Sequence, residues 1–389
     1  MPEKVRFIGY NCAMPSVKLP KPIFVDTPGK LRQAVQAMMA EPIVAVDTES
    51  NSLFAYHERV CLIQFSIPEQ DFLVDPIVLD DLSPLGPLFS DPNIEKIFHA
   101  AEYDLIMLDQ DFGFTFDNLF DTMVGARILG WKAVGLGSLL QAHFGIKVEK
   151  KYQRADWGKR PISPEMLTYA QLDTHYLIPL RNTIKAELER TGRWAIAEED
   201  FRRACQVHAH QVRDGADCWR INGARDLSPQ QQAVLQEVCR YRDQKARTLD
   251  RPLFKVISNG ALLKIAETCP RSIRELESIQ GISSKQARWL GDGLLRAVER
   301  GLRAEPPKLP RKPRPDDDFL QRVENLRQWR KRTAQAMGVE SDVVLPKSLL
   351  YEIAESNPQT RDQLAEIMAS TPWRLAQYGD EILTTLRDG

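Results

Sequence analysis

The sequence predicts an α/β domain with a mixed sheet in its front half and an all-α region behind it. Three observations carry this. Between residues 23 and 98, short apolar runs rich in β-branched side chains and bounded by turn residues read as strands. From residue 104 onward, apolar residues at helical spacing take over. The back half also repeats itself. Leu262-Leu263, Ile265-Ala266-Glu267 and Pro270 return as Leu349-Leu350, Ile353-Ala354-Glu355 and Pro358, and the offset over all matched residues stays near 87–91. That is a duplicated helical module of about 80 residues rather than a short solenoid repeat.

Taken in order, residues 1–22 are Pro-rich, lack periodicity and read as an irregular arm. Ile23–Val25 is a short strand. Thr27 then caps a helix with Pro28 first and Leu31, Val35 and Met38 on one face. Ile43-Val44-Ala45-Val46 is a buried strand that ends in Asp47-Thr48-Glu49. Val60–Phe65 and Phe72–Val74 form a hairpin around Pro68-Glu69-Gln70, Leu82–Phe89 is a short helix, and Ile94–Phe98 is a strand leading into His99. Helices follow at Asp104–Leu108, at Leu119–Leu129 (carrying Asp121) and at Leu136–Phe144, the last ended by Gly145. A polar loop, Lys151–Arg160, precedes Pro161. Ser163 caps a long helix to about Arg190, with Pro164 first and Glu165 in its opening turn. Residues 23–200 thus make one domain. The helical copies span 210–302 and 318–389, joined by a Pro-rich basic linker, 303–317, of the kind that acts as a semi-rigid spacer.

Composition narrows the function. Hydrophobic residues make up 43% and charged residues 27% of the 389, ordinary for a globular protein with two or three cores. The N-terminus shows no signal peptide, and no apolar run approaches the roughly 18–20 residues a bilayer span needs. A membrane partner is therefore excluded. Six cysteines (12, 61, 205, 218, 239, 269) lie scattered without a paired framework, which points to a reducing, cytoplasmic setting. The net charge of −1 hides an asymmetry: residues 1–200 carry −8 and residues 201–389 carry +7. Within the second half, 201–350 carries +11 and 351–389 carries −4. Carboxylates for cations lie in front and a grip for a polyanion lies behind.

The chemistry concentrates at Asp47 and Glu49. Strand side chains alternate, so the two carboxylates share a face, where they repel unless a cation sits between them. Asp104 lies one turn into the helix after His99, and Tyr169 and Asp173 stack at i, i+4 on the late helix. Four carboxylates are what a two-metal phosphodiesterase requires, because two Mg²⁺ ions about 4 Å apart need oxygen ligands and open positions for substrate. Tyr169 would orient the attacking water from the side.

These residues resemble the DEDD exonuclease superfamily in its tyrosine (DEDDy) branch. Asp47-Thr48-Glu49, His99-Ala100-Ala101-Glu102-Tyr103-Asp104, Lys151-Tyr152-Gln153-Arg154-Ala155-Asp156-Trp157 and Tyr169-Ala170-Gln171-Leu172-Asp173 resemble the ribonuclease D family and its relative in the nuclear exosome. The repeated tail resembles two HRDC domains. The resemblance implies a ribonuclease-H-like fold, two divalent cations (Mg²⁺ or Mn²⁺) on Asp47, Glu49, Asp104 and Asp173, and 3′–5′ trimming of RNA to mononucleotides. Precursors of tRNA are the expected RNAs and a monomer the expected state. Thr48, His99, Tyr103, Arg154 and Trp157 are its expected substrate contacts. Trp157 has two readings, stacking on a base or anchoring its loop, and His99 reads as structural with substrate contact as the alternative. The acidic end of the second HRDC copy assigns it to packing on the catalytic domain, or to completing a ring, rather than to gripping RNA.

Other signals are weaker. Cys205, His208, His210 and Cys218 match no zinc-site spacing and sit in an amphipathic helical pattern. Gly135-Leu136-Gly137 lacks the lysine of a phosphate loop. A 3′–5′ DNA exonuclease competes with the RNA reading, since strand-end ligands do not report on a 2′-hydroxyl. A catalytically inactive RNA-binding protein is the third reading, and the joint presence of Asp47, Glu49, Asp104, Tyr169 and Asp173 argues against it.

Overall fold

The structure is a computed structural model that describes residues 19–206, 218–308 and 316–387. Residues 1–18 of the predicted arm, 309–315 of the predicted linker, and His208 and His210 lie outside the described residues. The front half holds a mixed sheet of strands β1 (Ile23–Val25), β2 (Ile43–Ser50), β3 (Val60–Ile67), β4 (Gln70–Val74), β5 (Glu95–Phe98) and β6 (Leu119–Asp121). Their order is β1-β4-β3-β2-β5-β6. β2 runs antiparallel to β3 and parallel to β5, so the strand that ends in carboxylates is flanked on both sides.

The alternation of β2 assigns its two faces. Val44 and Val46 join Ile63 and Phe65 in a core with Leu31, Ala34 and Met38 of α1 (Pro28–Met38) and Leu105 and Leu108 of α3 (Glu102–Phe112). The short α2 (Gly86–Ser90) adds Leu88 and Phe89 to this layer. Ala45 faces the other way, with Ile97 and Phe120, toward Ala126 of α4 (Thr122–Ile128), Leu139 of α5 (Leu136–Phe144), Leu180 of α7 (Leu177–Arg190) and Phe201 of α8 (Trp194–Ala204). Asp47 and Glu49 share the Ala45 face, under α6 (Pro164–His175).

Two expected elements differ. Residues 119–121 are a strand rather than the start of a helix: Leu119 and Phe120 pair with Lys96 and Ile97, and Asp121 caps α4. An apolar run ahead of a cap satisfies both periodicities when it is this short. The long helix also divides, because Tyr176 adopts φ −100° and ψ 3° between α6 and α7. Pro179 sits in the first turn of α7, where its missing N–H leaves no hydrogen bond unmade. Ser163 caps α6 as expected, accepting from the Met166 N–H at 3.3 Å.

The back half forms two helical modules. The first comprises α9 (Pro229–Leu249), α10 (Leu253–Val256), α11 (Asn259–Thr268), α12 (Ile273–Glu277) and α13 (Ser284–Arg303). The second comprises α14 (Asp317–Met337), α15 (Ser341–Val344), α16 (Lys347–Ser356), α17 (Arg361–Ile367) and α18 (Pro372–Arg387). Each has its own core, around Leu235 and Leu262 in one and Leu326 and Leu350 in the other. Both touch the front domain. Tyr56, in the turn after β2, donates to Asp243 at 2.6 Å and accepts from Arg247 at 2.8 Å. Arg374 of α18 reaches Glu199 at 2.6 Å and Asp200 at 2.9 Å. Among the described residues, no helix is long and apolar enough to cross a membrane.

Candidate active site

The site assembles at the end of β2. Asp47 pairs across the sheet with Gln64 and Glu49 with Leu62, and the register shifts between Glu49 and Ser50. Thr48 points to the opposite face, where its hydroxyl donates to the Asp104 carboxylate in the first turn of α3. α3 is fixed from below by a residue the sequence reading did not assign. The Asp121 carboxylate accepts from the Ala100 and Ala101 N–H groups at 3.0 and 2.8 Å, as well as from Met123 and Val124. Ala100 adopts a φ of 65°, a left-handed turn that those two bonds hold and that delivers Asp104 to the strand end. Asp173 and Tyr169 come from α6, each 7% exposed.

Electrostatically the cluster is under tension. Burial raises the carboxyl of Asp47 well above the usual range, and Asp104, Asp173 and Glu49 push it further. Burial, then Asp173 and Asp104, do the same to Glu49. Burial lifts Asp104 to about 7, against a lowering hydrogen bond from Thr48. Asp173 also rises to about 7 through burial, against a hydrogen bond from Tyr169. Burial and the three neighbouring carboxylates drive the Tyr169 phenol upward. No salt bridge among the described residues relieves any of the four carboxylates.

Hard oxygen donors in excess of any basic partner are the donor set of Mg²⁺ or Mn²⁺. In this conformation no three His, Cys, Asp or Glu side chains among the described residues converge closely enough to clasp one ion. The donor chemistry and the uncompensated charge fit divalent cations.

The expected substrate contacts separate into three groups. Thr48 and Tyr103 line an open cleft with Glu49, Ser50 and Gln153. Tyr103 is 46% exposed, its hydroxyl 3.3 Å from Ser50 Oγ. Arg154 is exposed on the single-turn helix Lys150–Arg154. His99 is held from below, Nδ1 to Thr122 Oγ1 at 2.9 Å, and burial depresses its imidazole, so its structural reading fits better. Trp157 corrects the stacking reading. It is 1% exposed and packs beside Tyr169 with ring centroids 6.2 Å apart, which leaves no face for a base. Its loop is anchored by Arg160, which forks onto Asp75 at 2.6 and 2.7 Å and donates to the carbonyls of Cys61 and Trp157. A bidentate Arg–carboxylate pair gives both geometry and strength. Arg160 and Asp75, 85 residues apart, offered no local pattern to find them by.

Comparisons with known proteins agree with this geometry. A family model described as 3′-5′ exonuclease matches residues 22–189, and one described as HRDC domain matches 231–298 and 319–386. Ribonuclease D of Escherichia coli (strain K12) is 32% identical over 88% of this chain and 86% of that protein. Its crystal structure, described as an exoribonuclease involved in structured RNA processing, superposes with a TM-score of 0.70 at 26% identity over 95% of this chain and 99% of that one. Protein RRP6-like 3 of Arabidopsis thaliana is 32% identical over 65% of this chain, which spans 31% of that longer protein. By sequence, domain composition and fold, the chain belongs to the ribonuclease D family of 3′–5′ exoribonucleases.

Proposed function

We propose that this exoribonuclease releases mononucleotides from the 3′ ends of structured RNAs, tRNA precursors among them, through a site built for two divalent cations. The observation that carries the reading is the gathering of Asp47, Glu49, Asp104 and Asp173 in one desolvated, mutually repelling cluster beside Tyr169. When bound, the cations supply activation of the attacking water and neutralise charge on the leaving 3′-oxygen. The four carboxylates would hold them, Asp47, Glu49 and Asp173 from the sheet-and-α6 side and Asp104 from α3. Thr48 fixes the rotamer of Asp104 by its hydrogen bond. Tyr169, its phenol pushed up and therefore neutral, orients the nucleophile by hydrogen bonding and cannot remove its proton. Tyr103, exposed at the cleft, and the half-buried Ser50 beside it contact the terminal nucleotide, and Arg154, exposed next to the cleft residue Gln153, is the cation offered to its phosphate.

The excess of Lys and Arg over 201–350 supports the first helical module as the grip on the RNA body. The scattered cysteines, without a paired framework, support action in a reducing, cytoplasmic compartment. Incubation with a 3′-extended tRNA and a matched single-stranded DNA, each with Mg²⁺ and with EDTA, tests the reading. Stepwise shortening of the RNA in Mg²⁺ alone is expected. Faster trimming of the DNA would overturn the substrate class, and trimming in EDTA would overturn the cation chemistry.

A further inference from the structure

Gln64 is the anomaly of the central sheet. It interrupts Val60-Cys61-Leu62-Ile63, it is 0% exposed, and neither Nε2 nor Oε1 has a hydrogen-bond partner among the described residues. Leu or Met would fill the same volume without desolvating an amide, and buried amides in folded proteins are almost always paired. The sheet register says where this one points. Gln64 is the direct cross-strand partner of Asp47, so the two side chains stand on the same face. Two residues on, Ser66 confirms which face this is, since its hydroxyl meets Thr174 of α6 at 2.8 Å. Leu62, two residues before, packs in the cluster with Tyr169, Ala170 and Trp157. Gln64 is therefore enclosed between Asp47 of β2 and the helical turn that carries Asp173.

We infer that Gln64 is a positioning residue that acts through Asp47. A carboxylate that ligates a cation would commit lone pairs to it, and its remaining pairs would need donors if its orientation is to be fixed. Metal ligands are commonly held by such outer partners, whose loss typically weakens metal binding about 10–100-fold. Gln64 Nε2 is the amide donor that the register sets beside Asp47. With cations bound, that amide would donate to the carboxylate and keep it turned toward Asp104 and Asp173; the Trp157 Nε1–H, also buried without a partner among the described residues, lies in the same layer. The inference rests on the cation-binding reading of the site.

The test uses the full chain and two variants, Gln64→Met and Gln64→Leu, which keep the volume and remove the amide. Mn²⁺ binding is measured by calorimetry in the absence of RNA, melting in EDTA, and kcat and KM on a short single-stranded RNA in Mg²⁺. The expected result is Mn²⁺ binding weakened about tenfold or more, kcat lowered with KM unchanged, and a melting temperature in EDTA equal to or above that of the parent. Combined with Asp47→Asn, Gln64→Met should add no further loss of Mn²⁺ affinity, because its effect runs through that carboxylate. Parental Mn²⁺ affinity in both variants would overturn the inference, as would a fall in EDTA melting with affinity retained, the mark of a packing role. A parent protein that binds no Mn²⁺ would instead overturn the cation reading itself, so the two failures are distinguishable.

Discussion

Tyr169 lies one helical turn from Asp173, and its hydroxyl favours the charged form of that carboxylate. Removing only the hydroxyl, by Tyr169→Phe, preserves the ring packed against Trp157 and Tyr152 and all four acidic groups. We expect kcat to fall roughly 10²–10³-fold, the scale of a lost orienting contact, with RNA affinity little changed. A near-parental single-turnover rate would leave the tyrosine as packing alone. The carboxyls of Asp104 and Asp173 make a second prediction. Each rises to about 7 from an ordinary 3.8, so between pH 4 and 7 the folded chain binds more protons than the unfolded one. Their contribution to stability is therefore present at low pH and lost as pH rises through 7. In EDTA at pH 8, Asp173→Asn should melt above the parent while lacking nuclease activity; a lower melting temperature would contradict this sign. Cation binding needs the deprotonated forms, so the parental rate should climb over the same pH window in which cation-free stability falls.

At the scale of elements, what the sequence exposed was whatever depends on short-range periodicity. The alternation of Ile43 to Glu49 placed two carboxylates on one face, and Ser163-Pro164 announced α6 with Tyr169 and Asp173 a turn apart. Hidden from it were contacts that join distant segments. Asp121 was visible as an acid in an apolar run, but only the pairing of β6 with β5 shows that it caps one helix and pins the turn before another. Trp157 stood beside Arg154 and Asp156, a polar neighbourhood that left stacking on a base and anchoring the loop equally open. Arg160 and Asp75 fold the loop inward instead, and the indole becomes the floor beneath Tyr169. The break at Tyr176 had one local signal that the long-helix reading did not use: Pro179, which cannot sit in a helix interior without losing a hydrogen bond and here falls in the first turn of α7.

Across the whole molecule, the acidic second module is fastened to the catalytic domain rather than left free. Arg374, fully buried, binds Glu199 and Asp200 and donates to the carbonyls of Val343 and Val344. Val343 and Trp373 join the catalytic domain's own core, and Gly130 meets the Gly338 carbonyl so closely that a Cβ at Gly130 would lie 2.3 Å from it. Packing was thus one of the two roles legible in the charge of residues 351–389, and the partner surface was not. Arg374→Ala would strand Glu199, itself 2% exposed, without a counter-charge. We expect a loss of about 3–5 kcal/mol in urea unfolding, in line with other broken buried pairs. An unchanged midpoint would show that the interface does not bear on stability.

If the carboxylates at the end of β2 hold divalent cations for RNA hydrolysis, removing one of them should act as removing the cations does. Single-turnover trimming of a 3′-extended RNA by Asp47→Asn, set beside the parent in Mg²⁺ and in EDTA, tests it most directly. A rate near background is expected for the variant in Mg²⁺ and for the parent in EDTA, with both proteins folded. A fully active Asp47→Asn chain, or a parent that trims at its full rate in EDTA, would contradict it.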